Sequence, residues 1–486
     1  MFDAIDSAIC SIIGVIDSIY IIPILLLGGG LYFTIRLKGL QVRCFGEACR
    51  VIMEKPSNEN GISSFGALMV STASRVGTGN IIGVCTAIIL GGPGAIFWMW
   101  IVAILGGASA FVESTLAQIF KKKNPDGSSY GGPAYYMQDA LNARWLGVIM
   151  SVLIIITYAV GYNMLAAYNL QSTFANFDFY TEGTTPAIIG IVLAVLFGII
   201  IIGGAKRLTK VTEYLVPIMG VVYILVSLVV LVINGSNIGM MFKAIFQGAF
   251  NFEAIFGGFS GSCIMWGLKR GLYSNEAGMG SAPNAAATAD ISHPAKQGLV
   301  QMLSVFIDTL LICTATAFMC LSTGLGLNHA DLGAPIADYI NEEGGHMAAA
   351  YVADSMSAAL GGFGPVILAF SMSLFAFTTL IGNYSYCEGC LKFILKRQPS
   401  KNGLLAFRII ATALVFVGAI ASAGLVWDLA DLCQYSMVIC NLPSILILGG
   451  LAVKCLNDYT KQKKEGKNPV FKAADIGITQ ETDFWK

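Results

Sequence analysis

Only 12% of the 486 residues are charged and 56% are hydrophobic, with a mean hydropathy of +0.71. No soluble chain of this length covers its surface with so little charge, so composition excludes a soluble globular protein and points to the bilayer. The net charge of zero hides a sorting of charges by segment.

Apolar runs long enough to cross roughly 30 Å of hydrocarbon fall at 12–33, 64–90, 94–118, 146–173, 186–203, 212–233, 254–268, 298–322, 362–387, 403–423 and 431–453. The first follows Asp3 and Asp6, where a signal peptide would be basic, and lacks a small-residue cleavage site, so it reads as a retained N-terminal helix. Gly39 to Lys55 mixes Leu40, Val42, Phe45, Val51 and Ile52 with Arg43, Glu47 and Arg50, the pattern of an interfacial helix. The second run holds Arg75-Val76-Gly77-Thr78-Gly79-Asn80 at its centre. Two glycines there favour unwinding, and unwound backbone in a bilayer persists only where protein or a water-filled cavity satisfies it. Broken helices at mid-membrane are where secondary transporters hold substrate and coupling ion. The run at 254–268 is short and carries Gly257, Gly258 and Gly261, so it reads as a half-helix or a second broken span.

Spans two to eleven make ten, with the interrupted members first and sixth. Five spans each give an inverted repeat, 64–233 and 254–453, behind an extra N-terminal helix and ahead of a cytoplasmic tail at 454–486. The repeat rests on hydropathy alone. Lys and Arg concentrate in 34–60, 120–145, 204–211, 269–297, 388–402 and the tail, which hold 26 of the 29 cations. The alternate connections hold Asp178, Glu182, Asp331, Asp338, Asp354, Asp428 and Asp431. By the positive-inside rule the N-terminus is outside and the C-terminus inside.

Several polar groups sit where they are costly. A helix restarting at Thr78, Gly79 and Asn80 offers N–H groups to a carboxylate, and the half-helix ending near Ala73 to Val76 offers carbonyls to Na⁺. Thr378 and Thr379 either complete an oxygen cage for a small cation or bond the carbonyl four residues earlier. Asn163, Tyr168, Asn169 and Asn383 read equally as interhelical glue or as pocket. Glu113 and Asp308 are the deepest carboxylates, and Glu113, near Lys121 to Lys123, reads as structural before it reads as a proton relay. Arg75 needs an anionic partner, and Glu276 or Glu388 from the cytoplasmic side forms either a gate pair or simple neutralisation. Gly267 to Asn284 reads as a cytoplasmic connection with Glu276 in the first turn of a short helix. Twelve cysteines, the pair Cys387 and Cys390 included, show neither disulfide nor zinc spacing. His293, His329 and His346 are scattered through polar connections, and no nucleotide-binding or catalytic constellation is present.

Four stretches resemble the alanine/glycine:cation (sodium:alanine) symporter family: Ser74 to Gly83, Gly91 to Trp100, Gly271 to Pro283 and Phe375 to Gly382. The likeness runs from about residue 15 to 455. It implies an all-α polytopic membrane protein of the LeuT type, a 5+5 inverted repeat with one extra helix and about eleven transmembrane helices, working as a Na⁺-coupled importer of a small neutral amino acid in the plasma membrane. Proton coupling is a known variation. Carried over residue by residue, Gly77, Thr78, Gly79 and Asn80 meet the substrate. Carbonyls of Ala73, Val76 and Phe375 with the hydroxyls of Thr378 and Thr379 hold Na⁺, and Thr379 also borders the substrate. Gly258 to Ser262, with Ser260 among them, passes the substrate on the other unwound helix under Phe256 or Phe259 as lid. Ala166 stands where many members have Gln, and Asn383 where many have Trp. Both positions line the implied pocket, so alanine or glycine leads, with serine or glutamine behind. The expected partners are an amino acid and lipid, with no nucleic acid, and the chain is expected to be a monomer and not an enzyme. A channel needs a polar pore or a charged ring, which the sequence does not offer. A non-transporting sensor on the same fold stays open.

Overall fold

The computed structural model describes residues 2–56, 61–251, 255, 258, 262–341, 346–480 and 482–486. Among these, almost all regular structure is helical, the one sheet being a two-residue ladder of Lys122–Lys123 with Ser129–Tyr130. Eight helices are long and apolar enough to cross a membrane, from Ala95–Ile119 to Ala423–Lys464, and two bent pairs bring the total to ten.

One bent pair is the N-terminal helix. The predicted run at 12–33 is interrupted at Tyr20, which is left-handed (φ 51°), and the segments on either side meet at 57°. The other is the predicted break: Ser64–Arg75 and the segment from Thr78 to Gly91 meet at 59°. Ser63 caps the first half through its hydroxyl, which accepts from Gly66 N–H at 2.9 Å, and the helix stops at Val76, whose backbone leaves the helical region.

The break expected among Gly257, Gly258 and Gly261 lies largely outside the described residues, and the structure shows a discontinuity further along the chain. Residues 269–297 were expected to be a connection, yet Cys263–Asn275 is a buried helix and the chain breaks after it, before Ala282–Ala286. Glu276, Gly278 and Gly280 all adopt positive φ, at 55°, 85° and 83°. Two left-handed glycines within three residues leave the helix no way to continue. The cause of the misreading is charge. Lys269 and Arg270 are not loop cations but pair with Asp17 at 2.7 Å and Asp431 at 2.5 Å inside the fold.

The halves of the two broken helices pack in antiparallel fashion. Ser64–Arg75 lies beside Ala282–Ala286, and Ile82–Gly91 lies beside Cys263–Asn275. Helices Ala95–Ile119 and Pro294–Val305, which follow the two breaks, pack closely on each other. Small residues permit this: a Cβ on Gly298 would meet the Phe111 ring at 2.7 Å. One face of the bundle carries Lys121–Lys123, Lys392 and the end of Ala423–Lys464, and the opposite face carries Asp428 and Asp431. They are called here the basic and acidic faces.

Candidate functional site

At the first break, Gly77 is extended and Thr78–Asn80 form one 3₁₀ turn. The leading N–H groups of such a turn have no partner within it. Asn80 holds the turn in shape: its side-chain oxygen accepts from Gly77 N–H at 2.7 Å, while its amide donates to Asp308 Oδ1 at 2.6 Å. Asp308 accepts further from Ser274 and Thr309, and Thr316 donates to the Asn80 carbonyl. Asn80 is thus committed to the fold.

Helix Phe363–Leu395 closes on this break. A Cβ on Gly382 would collide with Ala73 and Ser74 backbone, and one on Gly77 would collide with the Thr379 hydroxyl. Ala73, Val76, Phe375 and both threonines are all buried here. The two hydroxyls differ. Thr378 donates back to Leu374 O at 2.9 Å, whereas Thr379 Oγ1 is buried with no hydrogen-bond partner among the described residues.

The second break mirrors the first. Glu113, on Ala95–Ile119, accepts from Gly280 N–H at 3.0 Å, from Gly278 N–H at 3.4 Å and from the Asn441 amide at 3.0 Å. Glu276 accepts from Ser281 at 2.7 Å, and Ser74 Oγ stands 3.0 Å from Glu276 and 2.6 Å from Asn383 Oδ1. Asn383 in turn donates to Asn163 at 3.0 Å. A polar chain therefore ties the two breaks together through Ser74.

Arg75 is 2% exposed and is the cation that Glu113, Glu276 and Asp308 all feel. Its hydrogen bonds go to Gln301, at 3.3 and 3.4 Å, rather than to either predicted gate carboxylate. Glu388 pairs instead with Arg408 at 2.8 Å and with the Tyr384 hydroxyl.

Towards the acidic face a cavity of about 520 Å³ opens above the first break, bordered by Tyr168, Asn169, Trp266, Arg270, Trp427 and Asp431. Asn169 borders it, donating to Thr78 Oγ1 at 3.2 Å, while its side-chain Oδ1 has no partner among the described residues. Tyr273 lies over Gly79, where a Cβ would meet the ring at 2.5 Å, and stacks edgewise on Tyr162 and Trp427. The Arg270 guanidinium sits 4.5 Å from the Trp427 ring centre while it bonds Asp431.

Of the predicted residues, the structure brings together Ala73, Val76 to Asn80, Phe375, Thr378, Thr379 and Asn383. Ala166 is fully buried and is not among the residues bordering the cavity. Gly258 is exposed, away from the buried break, and Phe256, Phe259 and Ser260 lie outside the described residues. Sequence reasoning missed Arg270, Trp427 and Asp431 as cavity residues, and Tyr273 as the ring over Gly79. A usable signal was present: Arg75-Val-Gly-Thr-Gly-Asn80 and Glu276-Ala-Gly-Met-Gly-Ser281 share one pattern of a charge, two glycines and a closing polar residue.

Paired broken helices within a bundle of apolar spans define a multi-pass helical membrane protein with a buried polar centre. The chain matches the family described as the sodium:alanine symporter family over residues 3–473, and it belongs to that family. It is 43% identical over 463 residues to the amino-acid carrier protein AlsT of Bacillus subtilis, covering 95% of this chain and 94% of that one. It is 45% identical over 450 residues to the "Probable sodium/glutamine symporter GlnT" of the same organism, covering 92% and 89%. The sodium/alanine symporter AgcS of Methanococcus maripaludis is 38% identical over 463 residues, covering 92% and 95%. The chain is a sodium-coupled amino acid symporter of the cell membrane, from a family of transporters.

Proposed function

We propose that this protein imports a small neutral amino acid, alanine or glycine first, together with Na⁺ by alternating access between the two faces. One observation supports this most directly: the first break meets the Asn169 side-chain oxygen on one side and the Thr379 hydroxyl on the other, both without a partner among the described residues. Leaving buried polar atoms unpaired costs about 1–3 kcal/mol each, and a zwitterion with a cation would satisfy them. The substrate carboxylate takes the N–H groups of Thr78 and Gly79, and its ammonium takes Asn169. Na⁺ takes the carbonyls of Ala73, Val76 and Phe375 with Thr379. Arg270 and Asp431, paired in the cavity wall, act as the gate on the acidic face.

The proposed frame is a 5+5 inverted repeat of eleven spans with the N-terminus outside and the C-terminus inside. Antiparallel packing of the two broken helices and their shared glycine pattern support it, with the second repeat starting at the helix before Glu276. Commitment of Asn383 to Ser74 and Asn163 argues against that residue selecting the substrate, which favours alanine or glycine over serine or glutamine.

Proteoliposome uptake of radiolabelled alanine under an inward Na⁺ gradient, against K⁺, tests this reading. Na⁺-driven accumulation competed by glycine supports it, and accumulation of glutamine alone overturns the substrate. Passive equilibration without accumulation would mark a channel, and binding without uptake a sensor. Proton coupling is the second reading. Glu276 favours it, being a buried carboxylate bonded to two hydroxyls, each able to donate or accept. Uptake driven by a pH gradient without Na⁺ would decide for it.

A further inference from the structure

Helix Gly29–Arg36 ends on the basic face in a turn through Lys38 and Gly39, both left-handed at φ 55° and 62°. The turn is closed by Gly39 N–H on the Thr34 carbonyl at 2.8 Å. It sets Lys38 with Arg36 and Arg43 on one wall of a cavity of about 500 Å³, and the end of helix Ala423–Lys464 brings Lys461 and Lys464 to the other. Five cations thus face one acid, Glu465, whose ion pair is with Lys467.

Among the described residues none of these five cations has an ion pair. Arg36 donates to the Tyr32 hydroxyl and Arg43 to the Leu37 carbonyl. Other cations on the same face do have ion pairs: Arg50 with Glu47 and Glu54, Lys122 with Asp139, Lys296 with Glu54. Uncompensated like charges around one cavity repel, and a bound anion reverses the sign of that interaction.

The surroundings specify the anion. Leu37, Val453 and Leu456 form the apolar part of the wall, and Leu31, Ile35 and Val42 beside it are 50%, 67% and 87% exposed. A soluble anion gains nothing from that surface. A molecule with a phosphate at the interface and acyl chains below it uses both parts. We propose that this cavity binds the headgroup of an anionic phospholipid, its phosphodiester oxygens on Arg36, Arg43 and Lys461 and its chains along Leu31 and Ile35. Arginine suits the phosphate because its planar fork donates to two oxygens at once, and basic pockets between helices at this depth hold such headgroups.

The test uses the full chain, exchanged into detergent and titrated with phosphatidylglycerol or phosphatidylcholine, with bound lipid counted by native mass spectrometry. Wild type retains phosphatidylglycerol preferentially. The R36Q/R43Q/K461Q variant loses roughly a hundredfold in affinity, from about fivefold per cation near an anionic surface. The charge-conserving R36K/R43K/K461R variant loses less than the neutral triple variant, and R43Q alone, which serves if the triple variant does not fold, loses about fivefold. Millimolar inorganic phosphate leaves the lipid bound. Equal retention by wild type and the neutral variants, no preference over phosphatidylcholine, or displacement by phosphate overturns the proposal, the last by marking a soluble-anion site.

Discussion

Thr378 and Thr379 are adjacent and chemically identical, yet their surroundings assign them different work. Thr378 spends its proton on the Leu374 carbonyl, as hydroxyls in membrane helices do, while Thr379 is buried beside Gly77 without a partner among the described residues. Thr379→Ala is therefore expected to raise the Na⁺ concentration for half-maximal uptake by about tenfold, the worth of one buried oxygen contact at about 1.4 kcal/mol. Thr378→Ala should shift it less than about twofold. Uptake measured across a Na⁺ series separates the two, and equal shifts would remove the distinction. The same geometry bears on stability. A methyl group at Gly77 has no room while the Thr379 hydroxyl is present, so Gly77→Ala should destabilise by about 1–3 kcal/mol, the usual cost of overpacking. Adding Thr379→Ala should recover part of that loss in thermal unfolding, a coupling that independent effects would not produce.

At the scale of elements, each broken helix is held by a carboxylate from the helix that follows the other break. Glu113 receives the N–H groups of Gly278 and Gly280, and Asp308 receives the Asn80 amide that fixes Gly77. Glu113 accepts from three donors, two of them backbone, and a glutamine replaces one acceptor oxygen with a further donor. Glu113→Gln is expected to cost about 1–3 kcal/mol of stability and to depress uptake with it. Asp308→Asn should do the same through the first break, both read by unfolding temperature and uptake in one preparation. Unchanged unfolding in either variant would count against anchoring. This level was only half legible in the sequence. The first break was visible because Arg75, Gly77 and Gly79 interrupt an otherwise apolar run. The second was not, because Lys269 and Arg270 resemble loop cations until Asp17 and Asp431, distant in the chain, are seen beside them. Hydropathy counts charges segment by segment, and pairing across hundreds of residues is invisible to it. The shared glycine pattern at Glu276 carried the information that the charge count obscured.

Across the whole molecule, the segment after helix Ala423–Lys464 folds back over the basic face and joins elements that the chain keeps far apart. Phe471 N–H donates to the Ser292 carbonyl, the Trp485 indole donates to the Gln118 carbonyl at 2.7 Å, and Lys121 lies 4.6 Å and 5.0 Å from the Phe484 and Trp485 ring centres. At the centre of this strap His293 packs between Tyr459 and Phe471, its Nδ1 accepting from Ala295 N–H and its Nε2 facing Asp458 at 3.1 Å. A ring nitrogen that accepts from the backbone cannot also carry a proton. Burial accordingly brings the His293 pKa from 6.5 down to about 4, against the pull of Asp458. The sign follows from the proton count. Between pH 6.5 and 4 the unfolded chain holds the proton and the folded one does not, so the contribution is complete above pH 6.5 and is lost as pH falls towards 4. By pH 5 the loss should be about 1–2 kcal/mol at most, from about 1.4 kcal/mol per pH unit. Unfolding temperatures of wild type from pH 7.5 to pH 5 should therefore fall more steeply than those of His293→Gln, which keeps an amide to face Asp458 but has no proton to take up. Parallel slopes would mean that His293 is protonated within the fold, and that the strap is held by its aromatic contacts alone.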